Sequence, residues 1–419
     1  MTPEVKERIE QIRHGNVPDG FQETIFGLAP ISWRKNRIDE VCSLSSGSTP
    51  RRDNADNFIG DILWVTSGEL KKRIITDTIE KISEDAARKS NLTMYDPGTV
   101  VIAIYGLEAA GIRGTASIIG KRCTISQACM AFTEYNGVDN EFMYYWYLNN
   151  GQIIGLRYAQ GTKQQNLSTD IVGAFPICYP EIREQCEIAK ILTTQDNVIE
   201  LKEKLLAEKQ RQKKYLMQQL LTGKKRLPGF DGEWMHVRAN QIFKNVTDKK
   251  HDGTLEVLSA TQDRGIIPRS RVDIDIKYAE ESLTGYKKVV KGNFVISLRS
   301  FQGGIEYSEY TGIVSPAYTV LTSIYPIEDN YYRQFFKSAD YINRLNIAVY
   351  GIRDGKQISF DDFGRIKIPY PPLDEQKAIA SVLTTVDKEI EILKQAIEQE
   401  KKKKKALMQL LLAGIVRVK

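Results

Sequence analysis

The chain has 419 residues, with 59 lysines and arginines against 53 aspartates and glutamates, for a formal net charge of +6. At 42% apolar and 27% charged residues it has the make-up of a folded chain long enough for two or three domains, which excludes disorder as a global state. The longest uncharged stretch, residues 310–327, holds Pro316 and Pro326 and would span a bilayer poorly, and the charged start Glu4-Val5-Lys6-Glu7-Arg8 does not suit a signal peptide. Cys42, Cys123, Cys129, Cys178 and Cys186 are odd in number and form no Cys-x-x-Cys pair, which points to a reducing, cytoplasmic setting rather than a disulfide framework or a zinc site.

Residues 1–29 are expected to hold an amphipathic helix from Pro3 to Arg13 and a linker, Gly15-Asn16-Val17-Pro18-Asp19-Gly20-Phe21. A globular domain follows over 30–180, opened by Trp33, with short β-rich runs at 62–66 and 100–105 and an aromatic helix face at 142–148. Residues 181–223 form a helical spacer. From 185 to 221 there is no proline or glycine, and Ile188, Leu192, Val198, Ile199, Leu205, Leu216 and Leu220 fall at helical spacing between Pro180 and Gly223. At 1.5 Å per residue such a helix is roughly 55 Å long. A second globular domain over 224–371 opens at Trp234 and carries β-rich runs at 255–258 and 294–298 and aromatic residues at 331–336. Residues 372–419 repeat the long helix and stop at Gly414.

The two helical segments are copies of one another. Over 184–227 against 375–418, 19 of 44 positions are identical without a gap, at a shift of 191 residues. The register extends upstream through Ser168 and Ser359, Asp170 and Asp361, Gly173 and Gly364, and Ile177-x-Tyr179-Pro180 and Ile368-x-Tyr370-Pro371. Residues 184–227 and 375–419 each hold 10 basic and 6 acidic residues, a net +4, while the rest of the chain holds 39 against 41. A long lone helix would leave its apolar stripe in water, so the two copies are expected to pack together, antiparallel and coiled-coil-like. The N-terminal linker echoes Gly223 and Leu227-Pro228-Gly229-Phe230, so the first helix is expected to be a further fragment of the repeat that packs on the end of the helical pair.

No catalytic constellation stands out. His14, His236 and His251 are scattered, Gly223-Lys224-Lys225-Arg226 lacks the upstream glycine and the hydroxyl of a phosphate loop, and no Gly-x-Gly-x-x-Gly follows a strand. Tyr370-Pro371-Pro372 reverses the order of the Asp/Asn-Pro-Pro-Tyr motif of amino-methyltransferases. Asp361-Asp362 is read as a helix cap and Lys71-Lys72-Arg73 as surface decoration, while the run 401–405 is open to two readings, a DNA-binding patch or a solvated helix face. A binding protein is the expectation.

In this duplicated frame stand Ser46-Gly47-Ser48-Thr49-Pro50-Arg51 and Gly60-Asp61-Ile62-Leu63-Trp64-Val65-Thr66-Ser67-Gly68-Glu69-Leu70. The second half carries Val257-Leu258-Ser259-Ala260-Thr261, Ser300-Phe301-Gln302-Gly303-Gly304-Ile305 and Gly312-Ile313-Val314-Ser315-Pro316-Ala317-Tyr318. Both long helices carry Glu-Gln-x-x-Ile-Ala-x-x-Leu and Leu-Leu-x-Gly. By these strings, over nearly its whole length, the chain resembles the specificity (S, or HsdS) subunit of type I restriction-modification enzymes. The resemblance implies an α+β fold: two mixed α/β target-recognition domains separated by two long antiparallel, coiled-coil-like helices, in a pseudo-twofold internal repeat. It also implies a non-catalytic subunit whose domains each read one half of a bipartite double-stranded DNA target. Its helices would set the spacing and dock two methyltransferase (M) subunits and, through them, motor-nuclease (R) subunits. S-adenosylmethionine and ATP with Mg would belong to those partners, and no cofactor to this chain. Two alternatives stay open: a specificity subunit of another restriction class with a fused methyltransferase-nuclease partner, and a tandem-domain interaction scaffold with no DNA role.

Specific DNA reading needs arginine, lysine, glutamine or asparagine at base edges and hydroxyls on phosphates, with loops as the carriers. The candidates in the first domain are Ser48, Thr49, Arg51, Arg52, Arg113, Lys163, Gln164 and Gln165. In the second they are Thr261, Gln262, Arg264, Arg299, Ser300, Gln302, Arg353 and Lys356.

Overall fold

The computed structural model describes residues 2–109, 111–159, 165–261, 264–272, 280–297, 304–348 and 358–418. The chain divides into two compact units, Met1–Leu201 with Ile397–Lys419, and Lys202–Ala396. Each unit therefore combines one globular domain with the start of one long helix and the end of the other.

In the first unit a five-stranded sheet runs Ser43–Ser46, Cys129–Thr133, Val100–Ala103, Ala116–Ile119, Ile74–Ile75. Only the last pair is parallel. A smaller sheet places Ile62–Val65 between Cys123–Ile125 and Lys81–Ile82. The apolar run Val100-Val101-Ile102-Ala103 is buried on both faces, as a central strand without alternation must be. Helix Asn140–Tyr158 packs on two strands of this sheet, and the Asp139 carboxylate caps its start by accepting from the Phe142 N–H at 2.9 Å. Phe142 to Tyr147 are all buried, because the helix also meets the first long helix, where Tyr145 Oη donates to Asp196.

In the second unit an antiparallel sheet runs Phe243–Val246, Thr319–Ser323, Phe294–Ile296, Ile305–Tyr307. Helix Asp329–Phe335 and its C-cap Phe336 supply the aromatic core: Tyr332 and Phe336 meet Phe243, Phe336 meets Phe294, and Tyr331 and Phe335 pack beside them. The strand expected at 255–258 lies further on, at Leu258–Thr261, paired with Gly265–Pro268. The Thr254 hydroxyl and N–H both bind the Asp252 carboxylate, and Gly253 sits at φ +87°, so a turn leads into the run, within which Val257 makes an isolated bridge to Ile313.

Each domain ends where it began. Arg34–Arg37 pairs with Pro176–Tyr179 in the first unit, and Met235–Arg238 with Lys367–Tyr370 in the second. Beside each ribbon, short helices Ile38–Val41 and Thr169–Gly173 pack together, as do Ala239–Ile242 and Phe360–Arg365. A Cβ on Gly173 would lie 3.0 Å from Asp39, and one on Gly364 3.0 Å from Asn240, so both glycines allow a close helix approach. Ser168 and Ser359 are the N-caps of these helices, and Asp361 and Asp362 lie in the first turn.

The long helices are Ile182–Leu220 and Leu373–Leu412, followed by Gly223 and Gly414 in the left-handed conformation. They run antiparallel within each unit. In the first, Gln195 donates to Glu400 and Lys404 pairs with Asp196; in the second, Lys213 pairs with Asp387 and Lys209 with Glu389. Ile188, Leu192, Met408, Leu411 and Leu412 join the first domain's core, and Leu220, Leu221, Ile379, Ala380 and Leu383 the second's. Leu205, assigned to the buried stripe from spacing, is 46% exposed, and Leu201 is 64% exposed, so the helices carry apolar residues outside their packed seam. Lys404 departs from the solvated-face reading of its run by turning to Asp196.

Helix Pro3–Arg13 forms as expected, capped by Thr2 and buried at none of its residues. It meets the end of the second long helix at Arg8, which donates to the Ile415 carbonyl and lies over the Phe21 ring. Among the described residues no helix is long and apolar enough to cross a membrane.

Because Leu383 is fully buried in the second core, Leu383→Ala is expected to cost about 2–5 kcal/mol. Hydrogen exchange should accelerate within Lys202–Ala396 and leave the core strands of the other unit unchanged.

Candidate functional site

The candidate loop of the first domain starts at Gly47. A Cβ there would fall 2.1 Å from the Ile125 carbonyl oxygen, so only glycine fits. Trp64 Nε1 donates to the Ser48 carbonyl at 3.1 Å, fixing the segment that carries half-buried Thr49 and exposed Arg51. Arg52 is held differently: its guanidinium makes two bonds to Glu80, at 2.6 and 2.9 Å, and stacks over Phe58 and Trp64. The neighbours thus divide the work, with Arg52 bracing the loop and Arg51 presented on it.

Arg113 and Gln165 are brought together from 52 positions apart, Arg113 Nη2 donating to Gln165 Oε1 at 2.6 Å. The Gln165 N–H donates to Glu108, which holds that carboxyl below its ordinary range. Gly155 makes room for the Arg113 side chain, since a Cβ there would lie 2.5 Å from Arg113 Cγ. In the second domain, Thr261 and Arg264 meet at the tip of the 258–268 hairpin. Thr261 Oγ1 donates to the Gly265 carbonyl and accepts from the Arg264 N–H, and Arg264 Nη1 reaches the Arg271 carbonyl. Lys163, Gln164, Gln262, Arg299, Ser300, Gln302, Arg353 and Lys356 lie outside the described residues.

Sequence reasoning passed over other polar groups. Arg73, grouped with the surface lysines, pairs with Glu141 at 3.1 Å, its side chain only 18% exposed. Arg271, beyond the hairpin, donates to Tyr310 Oη and lies over that ring. The Glu-Gln dipeptide, used only as a family signature, has a physical task. Gln185, fully buried, accepts from the Asp139 N–H and donates to the Gly137 and Pro180 carbonyls. Gln376, also fully buried, accepts from the Glu328 N–H and donates to the Pro371 carbonyl. Each glutamine ties the start of a long helix to the start of its domain's aromatic helix.

The preceding glutamates hold the other side. Glu184 takes both Nε and Nη2 of Arg417 at 2.7 Å, and Arg417 lies over Trp33. Glu375, fully buried, takes Nε and Nη2 of Arg226 at 2.5 and 2.6 Å, and Arg226 lies over Trp234. Arg226 and Arg417 are 191 residues apart, as are the glutamates, and the repeat position of the arginines was the available signal.

Among the described residues no group of three or more His, Cys, Asp or Glu could hold a metal ion. Burial pushes the thiols of Cys42, Cys123 and Cys129 up to about 12 and raises that of Cys178 as well, which keeps them protonated and unreactive.

A family model described as the type I restriction modification DNA specificity domain matches residues 30–210 and again 232–401. The MjaVIII type I restriction enzyme specificity subunit of Methanocaldococcus jannaschii is 26% identical over 426 residues, covering 96% of this chain and 97% of its own. The S subunit of a type I restriction-modification system from M. genitalium superposes with a TM-score of 0.55 at 16% identity, over 90% of this chain and 96% of that one. A chain from a structure on complex assembly and conformational transition of the type I R-M system gives 0.55 at 18% identity, over 93% and 99%. At these identities the two structures show a shared fold.

Two outcomes follow from the site's chemistry. Arg226→Ala leaves the buried Glu375 carboxylate with Trp234 Nε1 donating at 2.8 Å but without the arginine's countercharge, and should cost about 3 kcal/mol, the low end for a broken buried pair because Arg226 keeps a solvent-facing edge. Adding Glu375→Gln should recover part of the loss in urea unfolding. Titration of the native chain with an aromatic disulfide should modify Cys186 alone, with the other four thiols reacting only after unfolding.

Proposed function

Because the chain belongs to the type I restriction modification DNA specificity family, we propose that it is the DNA-reading subunit of a type I restriction-modification complex. Each globular domain reads one half of a split double-stranded target, and the long helices set the separation of the halves. Two methyltransferase subunits dock on the chain and carry the motor-nuclease subunits. S-adenosylmethionine and ATP with Mg are held by those partners in this reading, the chain itself catalyses no step, and the complex works in the cytoplasm. The observation that carries the proposal is the pair of repeat-equivalent mounts, Glu184-Gln185 and Glu375-Gln376, bearing domains whose sheets and loops differ. Identical mounts with different readers suit a target made of two unlike halves. Family membership favours this reading over a fused methyltransferase-nuclease partner or a scaffold without DNA.

Arg51, the Arg113–Gln165 pair and the Thr261–Arg264 tip are the proposed contacts among the described residues. An arginine offers a guanine two parallel donors, and a hydroxyl or backbone N–H secures a phosphate. The globular parts are near neutral, so affinity rests on such local cations and on the methyltransferase subunits. A helix of 39 residues is about 58 Å long and exceeds one DNA turn of about 34–36 Å, which leaves the bases between the halves unread.

Three measurements test the reading. With its methyltransferase partner the chain should bind a split target with strong salt dependence, whereas alone it should neither methylate nor cut. Methylation of DNA by the pure chain with S-adenosylmethionine would overturn the proposal. Arg51→Ala should weaken recognition of one half-site by about 1–3 kcal/mol and leave the other intact. Removing a matched heptad from the middle of both long helices should shorten the preferred gap without changing either half-site sequence.

A further inference from the structure

Both units repeat a three-member clasp that neither the family signature strings nor the candidate loops include. In the first, the Asp196 carboxylate receives Lys404 Nζ at 2.6 Å from the opposite long helix and Tyr145 Oη at 2.7 Å from the domain's aromatic helix. In the second, Asp387 receives Lys213 Nζ at 2.6 Å from the opposite helix and Gln334 Nε2 at 2.6 Å from helix Asp329–Phe335. Asp196 and Asp387 stand 191 residues apart, as do Lys213 and Lys404, so helix and counter-helix members are repeat-equivalent. Only the member supplied by the domain differs: a phenol in one, an amide in the other.

One carboxylate thus takes a bond that fixes the helix pair and a bond that fixes the domain. Both are charge-assisted, and Asp196 and Lys404 keep less than a fifth of their side-chain surface in water. A domain bound at the same anion as the helix register cannot tilt without loosening that bond. The two seats differ in depth. Tyr145 Oη also lies 3.1 Å from Thr193 Oγ1, which donates to Glu141 at 2.9 Å, and Glu141 takes Arg73 at 3.1 Å, just before strand Ile74–Ile75. In the second unit, Gln334, Asp387 and Lys213 instead border a cavity of about 490 Å³, whose wall includes Glu306, Tyr307 and Lys337. The first seat is braced through a chain of side chains, and the second adjoins open space.

We propose that Asp196 and Asp387 are positioning residues for DNA reading: they set the tilt at which each domain is carried, with a stiff first seat and a compliant second. The inference rests on the DNA-reading function above and adds to it where the tolerance for half-site separation resides. A contact misplaced by about 1 Å can cost about 100-fold in rate, so a stiff seat makes neighbouring separations poor targets.

The test uses the chain assembled with its methyltransferase partner and a DNA series in which the gap between half-sites changes by single base pairs. For the unaltered complex, neighbouring gaps should be methylated about 100-fold less well than the preferred one. Tyr145→Phe keeps the ring and removes its bonds to Asp196 and Thr193. It should bring neighbouring gaps to within about tenfold of the preferred one, with half-site sequences unchanged and the thermal midpoint lowered by the lost bonds to Asp196 and Thr193. Gln334→Met should broaden the profile less, since the second seat is already compliant. Thr193→Val, which cuts the brace and spares Asp196, should broaden it in the same direction and serves if Tyr145→Phe fails to fold. A profile as narrow as the unaltered one in folded Tyr145→Phe or Thr193→Val overturns the inference, as does equal or greater broadening by Gln334→Met. An unaltered complex with no preference for split targets overturns the DNA-reading function instead.

Discussion

Two buried amides hold this molecule to its plan. Gln185 and Gln376 have no access to water, so every donor or acceptor they leave unmatched would cost free energy that solvent cannot return. Each is matched by backbone groups at the exit of its domain and by the N–H that opens its aromatic helix. The backbone entering a long helix, the start of the aromatic helix and the close of the domain are thereby fixed relative to one side chain. The ion pairs of Glu184 and Glu375 add the returning helix end to the same point. What differs between the halves, the sheet order and the loops, can vary because the mount does not.

The mount explains the reach of the internal repeat. Similarity runs from Ser168 and Ser359 through the short helices, Gly173 and Gly364, the closing strands and the long helices, and these form one continuous structural module. Upstream, the five-stranded sheet of one domain and the four-stranded sheet of the other share little register. Their cores need only apolar volume, which many sequences supply. Tyr145 and Gln334, which do equivalent work at Asp196 and Asp387, are unlike residues and carry no sign of their kinship in one-letter code.

Periodicity made the long helices legible because their spacing holds over about ten turns, and proline and glycine mark their limits. It failed at Leu205, where the packed seam is narrower than the apolar stripe, and at 255–258, where pairing with Gly265–Pro268 chose the strand. Charge type alone did not separate Arg51 from Arg52, or Lys71 and Lys72 from Arg73. Adjacent cations differ in role because one finds a carboxylate within reach, at Glu80 or Glu141, and the other pairs with none among the described residues. That distinction lies in tertiary distance, and no local pattern encodes it.

Arg417 meets Glu184 across 233 positions, whereas Arg226 meets Glu375 across 149. The first domain's core likewise includes Met408, Leu411 and Leu412. During synthesis, the domain that emerges first therefore lacks part of its own floor until about two hundred and ten further residues have followed Leu201. At about 5–20 residues per second that interval lasts about 10–40 seconds. The second domain, whose helix stretches all lie within Lys202–Ala396, is complete sooner after its last strand appears. The order of birth and the order of completion are thus reversed, and the exposed apolar floor of the first domain is the surface a nascent-chain chaperone would meet.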